Sequence, residues 1–437
     1  MRAELFVYKN QAGKASKIPS WGGIHLYENF WGFWFLLMEY RLASRMNFVT
    51  ASEVREILKV TERPDVLSFA GGLPAPELFP HKEIAEHTAA LLNEEGMRVL
   101  QYSPTEGYVP LRKWIMEHLN NTWGTHIEGL DNVIITSGSQ SGLDLASKLL
   151  LDQDDIVWTE APTYMAALAA FRMCGAQFEE MQCDDNGVII EGLEERLKLR
   201  KPKCVYVITN FQNPSGRTWS MERRRLFMEL MTRYEVPVIE DNAYYEVCFG
   251  NLKYCSLSHF DTKGLVISLG SFSKVLCPGL RIAWVTGDKE LMRKMVILKQ
   301  ATDLQTPLLN QMIIYRYLAN SDFNERLRLI SNTYKERCEA MLCELEACAP
   351  KEVRFTRPGG GMFVWVELPK DIDSHKLLNR CLAHNIAFVP GDAFYPVTKK
   401  HNMARINFSN LPPETIRHGV RILCDSIREE MAAVRDH

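Results

Sequence analysis

The apolar positions of this chain change their spacing repeatedly, and the spacing predicts alternating helices and strands. In the segment 109–120, Leu111, Ile115 and Leu119 recur every fourth residue, which is typical of a helix with one buried face. Other segments are short continuous apolar runs, which are typical of strands buried on both sides. Helices are predicted at 81–95, 109–120, 141–151, 164–173 and 220–234, and strands at 132–136, 155–159, 203–209, 236–240, 264–269 and 281–286.

This alternation predicts an α/β fold in which a mostly parallel sheet lies between two layers of helices. After about residue 320 the pattern changes to a long helix at 322–347 and then to shorter elements, which indicates a smaller α+β domain. Those elements are strands near 353–356, 362–368 and 404–408 and helices at 374–384 and 413–433, with helices at 288–301 and 308–319 at the junction. The predicted divisions are an N-terminal extension at 1–37, an arm with part of the small domain at 38–80, a large domain at 81–320 and a small domain at 321–437.

The first 37 residues do not follow this pattern. They contain the aromatic-rich stretch 30–38, which is too short to span a bilayer and is not followed by a small-residue cleavage site. Three interpretations remain open: an anchor at a membrane surface, an arm that packs on a partner subunit, or an extension upstream of a working start near Met38. The third is favoured because ordinary globular sequence begins there, but the role of the segment stays unassigned.

Composition and charge narrow the function classes. The chain has 437 residues, 46% of them hydrophobic, and can bury a large core divided between two domains. A formal net charge of −3 gives no footprint of nucleic-acid binding, and no membrane partner is expected. The eleven cysteines are an odd number, and the sequence has no CxxC, His-x-x-x-His or HExxH motif, so neither a disulfide framework nor a metal site is predicted. A reducing, cytoplasmic location is predicted.

The strand and loop that end at Lys274 are the most informative segment. The apolar run from Val266 gives way to a hydroxyl-rich loop that contains Ser271 and Ser273, and Arg281 follows Lys274 by seven residues. An ammonium and a guanidinium beside serines at the end of a sheet suit a phosphate, and a lysine amine can attack a carbonyl carbon. This combination predicts a site for a phosphorylated aldehyde held as a Schiff base.

A second anion-binding feature is predicted at the start of a helix. Ser139 and Gln140 lie in the run 137–142, which follows a predicted strand and opens the next helix. Backbone N–H groups at a helix N-terminus bind anions, although an ordinary serine N-cap is the commoner explanation for such a serine alone. Together with Lys274 and Arg281, the run favours a phosphate site. The absence of a GxGxxG or Walker motif disfavours a dinucleotide or a nucleoside triphosphate.

Four further residues lie within five residues of the ends of predicted strands, where ligands gather in α/β folds. Asp241 can keep a pyridine nitrogen protonated, and Tyr244 can hydrogen-bond a phenolate oxygen of the same ring. Asn213 can donate its amide to a ring oxygen, and Tyr164 can stack on an aromatic ligand. For any one of them alone, a helix cap, a turn or core packing is at least as good an explanation.

Arg405 lies within the predicted late strand 404–408, among apolar neighbours. A guanidinium in such a strand is costly unless it has a partner. A substrate carboxylate bound through two oxygens would satisfy it, and an internal ion pair is the alternative.

Taken together, these segments resemble the class I/II aminotransferases among the fold-type I enzymes that depend on pyridoxal 5′-phosphate (PLP). The pattern is most similar to the group that acts on 2-aminoadipate and kynurenine, and it extends from about Met38 to the C-terminus. Its marks stand at residues 71–74, 101–107, 137–140, 213–216, 241–244, 271–274 and in the strand around Arg405. Each mark is weak alone, and seven in order are a specific signal.

The resemblance implies a role for each matching residue. Lys274 would form the Schiff base and transfer the proton, with Asp241 and Tyr244 as the other catalytic residues. Ser139, Gln140, Ser271, Ser273 and Arg281 would surround the phosphate, Tyr164 would stack on the ring, Asp241 would pair with its nitrogen, and Asn213 and Tyr244 would bond its 3′-oxygen. Arg405 and Asn213 would receive the substrate carboxylate, with Gly72 against the substrate. The tyrosine matching Tyr102 reaches the neighbouring subunit's phosphate in such enzymes, so a homodimer with shared active sites is expected.

The implied reaction moves an amino group from an L-amino acid to a 2-oxo acid, with 2-oxoglutarate as the expected acceptor, by a ping-pong mechanism. The nearest rival is another PLP reaction on the same scaffold, such as that of a β-lyase or a decarboxylase. A PLP-binding regulatory module without turnover is disfavoured because residues 1–37 are too short for a winged-helix domain. A Schiff-base aldolase barrel is disfavoured by the change of pattern after residue 320.

Overall fold

The computed structural model describes residues 24–28, 34–38, 42–49, 57, 63, 65–250 and 254–435. The chain divides into two compact units, Met1–Phe48 and Val49–His437. In the first unit, strands β1 (Ile24–Glu28) and β2 (Trp34–Met38) pair antiparallel, and a 3-10 helix covers Ser44–Phe48. The interpretations of the segment 1–37 fall mostly on residues outside this description and stay predictions.

A seven-stranded sheet organises the second unit. One strand, β12 (Ala283–Thr286), is antiparallel to both of its neighbours, and the other six strands run parallel to one another. The mostly parallel sheet predicted from the apolar runs is therefore present. In side-by-side order, the strands are β4 (Val133–Thr136), β12 (Ala283–Thr286), β11 (Val266–Ser271), β10 (Val238–Asp241), β9 (Cys204–Val207), β5 (Ile156–Glu160) and β6 (Gln177–Met181).

Successive residues of these strands pack on opposite sides of the sheet, as the strand period requires. Ile239 belongs to an apolar cluster with Leu143 and Phe171, whereas its neighbour Val238 packs in another cluster with Phe227. All five side chains are fully buried. Helices therefore cover both faces of the sheet, which gives the predicted three layers.

The helices around this sheet lie close to their predicted positions, except for the short helix α5 (Leu193–Leu199), which the sequence pattern missed. The helix predicted to begin at residue 141 begins two residues earlier, at Ser139, so that its first turn directly follows Gly138. Several N-termini are closed by a side chain: the Ser220 side chain, for example, accepts a hydrogen bond from the backbone N–H of Arg223. The helices are α1 (His81–Val99), α2 (Val109–Thr122), α3 (Ser139–Leu150), α4 (Met165–Met173), α5 (Leu193–Leu199), α6 (Met221–Tyr234), α7 (Lys289–Thr302) and α8 (Leu308–Asn320).

A second, antiparallel sheet is built from the C-terminal part of the chain. In side-by-side order its strands are β13 (Arg354–Phe355), β14 (Phe363–Glu367), β17 (Met403–Asn407) and β16 (Val389–Pro390). A parallel pair, β3 (Leu67–Ser68) and β15 (Ile386–Ala387), joins residues before the large sheet to the C-terminal part. Helices α9 (Phe323–Cys348), α10 (Ser374–Ala383) and α11 (Pro413–Arg435) complete this part. The predicted boundaries at residues 80 and 320 stay predictions.

The sequence pattern missed the edge strand β6 and the small hairpin of β7 (Cys183–Asp184) and β8 (Gly187–Val188). In β6 only Met181 is fully buried, because this strand has a neighbour on one side only, so it lacks the continuous apolar run of a central strand. Among the described residues, no helix is long and apolar enough to cross a membrane.

Candidate active site

Five parallel strands place the predicted site residues at one edge of the large sheet. Strands β4, β5, β9, β10 and β11 end at this edge, because they run in the same direction. Ligand-binding residues gather at the carboxyl ends of such strands. The residues that follow or end the five strands are Ser139 and Gln140 after β4, Tyr164 after β5, Asn213 after β9, Asp241 and Tyr244 at β10, and Ser271, Ser273 and Lys274 at β11.

Lys274 extends its amine toward the segment around Gly72. Its Nζ donates a hydrogen bond to the Gly72 carbonyl oxygen at 2.9 Å and lies 5.8 Å from the centre of the Tyr244 ring. Burial lowers the pKa of Lys274 to about 8, and the positive charges of Arg405 and Arg281 lower it further, against the opposing effect of Asp241. A substantial share of this lysine is therefore the neutral, nucleophilic amine near pH 8.

Asp241 is a buried carboxylate that forms no ion pair with any residue of the described segments. Its Oδ2 accepts a hydrogen bond from the Tyr206 hydroxyl at 3.0 Å, and its Oδ1 accepts one from the Ala243 backbone N–H at 3.2 Å. Burial raises the pKa of Asp241 to about 6, although both hydrogen bonds oppose the rise. A positively charged group beside this carboxylate would stabilise its ionised form.

Tyr206 is a site residue that the sequence analysis missed. It is fully buried in β9, and its hydroxyl fixes the orientation of Asp241 from the neighbouring strand. In the sequence it is one aromatic residue within an apolar strand, which core packing explains equally well. Nothing in the local pattern distinguishes it, since the contact depends on the lateral pairing of β9 with β10.

Arg281 packs against the start of α3. A Cβ atom added to Gly138, which has a φ of +88°, would lie 2.1 Å from the Arg281 Nη2. No side chain caps this helix, and no backbone acceptor among the described residues pairs with the N–H groups of Ser139 or Gln140. The free N–H groups and the guanidinium form a suitable anion site.

The remaining predicted phosphate ligands lie in the β4–α3 and β11 segments. The Gln140 side chain donates to the Ala166 carbonyl oxygen at 3.2 Å, so its amide is engaged with the neighbouring chain segment. The buried Ser271 hydroxyl accepts a hydrogen bond from the backbone N–H of Ser273 at 3.0 Å, which shapes the loop before Lys274. The phosphate roles of Ser139, Gln140, Ser271 and Ser273 stay predictions.

Asn213, Tyr244 and Arg405 form a buried hydrogen-bonded chain. Asn213 Nδ2 donates to the Tyr244 hydroxyl at 3.4 Å, and Arg405 Nη1 donates to Asn213 Oδ1 at 2.8 Å. Burial raises the pKa of Tyr244 well above its ordinary value. Arg405 comes from β17 of the C-terminal sheet, so this series of hydrogen bonds links the two sheets at the site.

The Arg405 guanidinium lies between two aromatic rings. Its Cζ is 4.3 Å from the centre of the Phe363 ring and 5.0 Å from that of Phe394. Nη2 donates to the Ala70 carbonyl oxygen at 2.7 Å, whereas Nε has no hydrogen-bond partner among the residues that the structure describes. Burial lowers the pKa of Arg405 to about 10.

The internal ion pair that the sequence analysis left open for Arg405 is not formed: within residues 65–250 and 254–435, no carboxylate pairs with it. A buried guanidinium with an unused N–H can bind a carboxylate supplied from outside the chain.

The other predicted residues occupy different surroundings. Tyr164 directly precedes α4 and is partly buried. Its pKa is raised mainly by burial and also by the negative charge of Asp241. Gly72 faces Phe363, because an added Cβ would lie 3.0 Å from its Cζ. Tyr102 is 76% exposed at the surface. The predicted roles of these three residues stay predictions.

The described residues contain no group of three or more His, Cys, Asp or Glu side chains that could hold a metal ion.

The sequence model of the family "Aminotransferase class I and II" matches residues 68–423, which is most of the chain. The chain belongs to this family. The resemblance stated from the sequence motifs is therefore confirmed.

The sequence is similar to those of several named aminotransferases. This chain is 44% identical over 389 residues to a 2-aminoadipate transaminase of Thermus thermophilus, a match that covers 88% of this chain and 96% of the relative. It is 40% identical over 386 residues to aromatic-amino-acid aminotransferase 1 of Thermococcus litoralis, covering 87% and 92%. The crystal structure of the alpha-aminoadipate aminotransferase LysN of Thermus thermophilus with N-(5′-phosphopyridoxyl)-L-leucine matches with a TM-score of 0.84 and 42% identity, covering 90% of this chain and 98% of that one.

These comparisons confirm the predicted fold class, fold type I, and the predicted activity. The protein is a PLP-dependent aminotransferase. The alternative PLP reactions and the regulatory module are not favoured, because these relatives at 40–44% identity are named aminotransferases.

Proposed function

We propose that the enzyme transfers the amino group of an L-amino acid to 2-oxoglutarate, and that its donors include both 2-aminoadipate and aromatic amino acids. The names of two relatives of similar identity support this donor range. The observation that carries the site assignment is a series of hydrogen bonds. The Arg405 guanidinium, which has no carboxylate partner among the described residues, donates to Asn213, and Asn213 donates to Tyr244, whose ring lies beside the Lys274 amine. These contacts support a single site in which Arg405 binds the carboxylate and Lys274 supplies the amine.

The residues present fit PLP. Arg281 and the free N–H groups at the start of α3 suit its phosphate, because Gly138 leaves the space that a side chain would fill. Asp241, which is buried and has no cationic partner in the described part of the chain, suits a protonated ring nitrogen, and the pair Asn213 and Tyr244 suits the ring oxygen. When bound, PLP supplies an aldehyde that condenses with amines and a ring that accepts electrons from the substrate Cα.

Each of these side chains has a separate role in the proposed reaction. Arg405 binds the α-carboxylate of the amino acid, with Asn213 holding the guanidinium in place. Lys274 Nζ, whose pKa of about 8 leaves it partly neutral, takes the proton from the substrate Cα. Asp241, to whose Oδ2 the Tyr206 hydroxyl donates, would stay ionised and pair with the ring nitrogen of the bound cofactor. The 2-oxo acid product leaves before the acceptor enters the same site, which gives ping-pong kinetics.

A spectroscopic half-reaction screen tests this proposal. The PLP-loaded enzyme is mixed with single amino donors in the absence of any 2-oxo acid, and loss of the visible cofactor band is followed. We expect 2-aminoadipate and the aromatic amino acids to react at least about tenfold faster than alanine, in terms of kcat/KM. Equal rates for all donors, or a response to only one of the two donor types, would contradict the proposed range.

A homodimer with shared active sites is part of the proposal, and an exposed apolar patch supports it. Met97, Leu100, Tyr102 and Val109 are 95%, 72%, 76% and 51% exposed. Met97, Tyr102 and Val109 line a groove of about 560 Å³ together with Leu308, and Leu100 lies between Met97 and Tyr102 in the sequence. Clustered apolar side chains at such exposure mark an interaction surface. A partner seated there would bring Tyr102 of one protomer into the shared interface.

Leu100→Asp tests the dimer. A carboxylate in an apolar interface loses its water without gaining a partner, so we expect the variant to be monomeric and to bind PLP at least about tenfold more weakly. Light scattering after size exclusion gives the mass, and fluorescence titration gives the PLP affinity. Leu199→Asp, at another exposed leucine (87%), is the matched control and should leave both unchanged. A dimeric Leu100→Asp protein would rule out this surface.

We also infer a cytoplasmic location. All eleven cysteines are free thiols, which a reducing compartment maintains.

A further inference from the structure

Two cysteines outside the active site are in direct contact. Cys348 is the last residue of α9, and Cys424 lies within α11. Their Sγ atoms are 2.7 Å apart. All eleven cysteines belong to the part of the chain that the structure describes, and this is the one pair whose sulfurs approach within hydrogen-bonding distance.

The surrounding helices hold the two thiols in place. Helices α9 and α11 pack in one apolar cluster, and Arg421 of α11 pairs with Glu344 of α9 at 2.7 Å. Arg428 donates a hydrogen bond to the Cys348 carbonyl oxygen. A disulfide requires a sulfur–sulfur distance of about 2.05 Å, so the two sulfurs need to approach by well under 1 Å to form the bond.

The two thiols differ in access and in acidity. Cys348 is partly exposed, whereas Cys424 is fully buried. The hydrogen bond between the two thiols lowers the pKa of Cys348, and the nearby Arg428 contributes, against the opposing effects of burial and of the charges of Glu344 and Asp425. The same contact raises the pKa of Cys424. Cys348 is thus the sulfur that an oxidant reaches first and the one that forms a thiolate more readily.

We propose that Cys348 and Cys424 form a dithiol site that closes to a disulfide on reaction with a small disulfide such as oxidised glutathione. The Cys348 thiolate attacks one sulfur of the small disulfide, whose S–S bond breaks and releases one thiolate. Cys424 then loses its proton and attacks the Cys348 sulfur, and the second small thiolate leaves. The protein dithiol is oxidised by two electrons, and one small disulfide is reduced to two thiols.

The bond would join α9 to α11 across 76 residues of sequence. A cross-link over a long loop restricts the unfolded chain more than the folded one, and therefore raises the melting temperature. The pair is not among the site residues, so the inference does not depend on the proposed function. Transaminase activity should be equal in the reduced and oxidised forms.

The test uses the full-length, PLP-loaded enzyme incubated with oxidised glutathione and then alkylated, digested and mapped by mass spectrometry. We expect one linked peptide that contains Cys348 and Cys424, and a fall from eleven free thiols to nine in the denatured protein. The melting temperature should rise by several degrees, and dithiothreitol should reverse the rise.

Matched variants separate this bond from general oxidation. Cys343→Ser removes an exposed thiol on the same helix and should leave the linked peptide and the temperature shift intact. Cys348→Ser, at a partly exposed position that tolerates the change, and Cys424→Ala should abolish both. Eleven remaining thiols, a bond between other cysteines, or a lasting glutathione adduct on Cys348 would each overturn the proposal.

Discussion

Replacing Lys274 with alanine is expected to lower kcat for transamination by at least about 10³-fold. Positioned proton transfer alone contributes about 10²- to 10⁴-fold, and the variant also loses the amine that condenses with the cofactor aldehyde. In the structure, Lys274 Nζ is held by the Gly72 carbonyl oxygen at 2.9 Å and lies 5.8 Å from the centre of the Tyr244 ring.

Two measurements separate this role from a loss of folding. Borohydride reduction followed by peptide mapping should attach the cofactor to Lys274 in the wild-type enzyme and to no peptide in the Lys274→Ala variant. PLP should still bind without a covalent bond, because Arg281 and the start of α3 are unchanged. The exposed Lys294 provides a matched Lys294→Ala control that should keep full activity. Full turnover by Lys274→Ala would refute the assignment.

Replacing Arg405 with leucine is expected to lower kcat/KM for amino acids by about 10²- to 10³-fold. Loss of one partner of a buried, hydrogen-bonded charge pair costs about 2–5 kcal/mol. Leucine is apolar and fits between the rings of Phe363 and Phe394, so the fold should persist. The cofactor spectrum should be retained, because Arg405 is assigned to the substrate.

The conservative variant Arg405→Lys sharpens this test. Lysine keeps the positive charge but cannot donate to Asn213 and to a carboxylate in the same forked geometry, so we expect intermediate kcat/KM values. Arg354 is exposed on β13, and Arg354→Leu serves as a control with unchanged kinetics. An unchanged kcat/KM in Arg405→Leu would show that the substrate carboxylate binds elsewhere.

Much of the large sheet and its edge could be predicted from the sequence. Central strands such as β9 and β10 are buried on both faces, and their continuous apolar runs show this directly. The position of Asp241 at a strand end then followed from the general geometry of α/β folds. Pattern alone left its role open, and only the seven motifs in order indicated the chemistry.

Contacts between distant segments could not be predicted in this way. The antiparallel direction of β12 depends on its lateral neighbours, and its own apolar run carries no sign of direction. The same holds for Tyr206 beside Asp241 and for the two rings around Arg405, since each pairing depends on the assembled sheets. Edge strand β6 was not predicted, because it pairs with a strand on one side only and can therefore contain polar residues that break the apolar run.

The hydrogen bond from Arg405 to the Ala70 carbonyl oxygen has a consequence for how the protein folds while it is being synthesised. It joins residues 335 positions apart, and the bond from Lys274 to Gly72 joins residues 202 apart. Contacts of such long sequence separation form slowly, because closing so long a loop costs conformational entropy, and they require both segments to have been synthesised. A ribosome-bound nascent chain is therefore inert until its last strand has emerged, and affinity for a carboxylate ligand would be a sensitive indicator of completed folding.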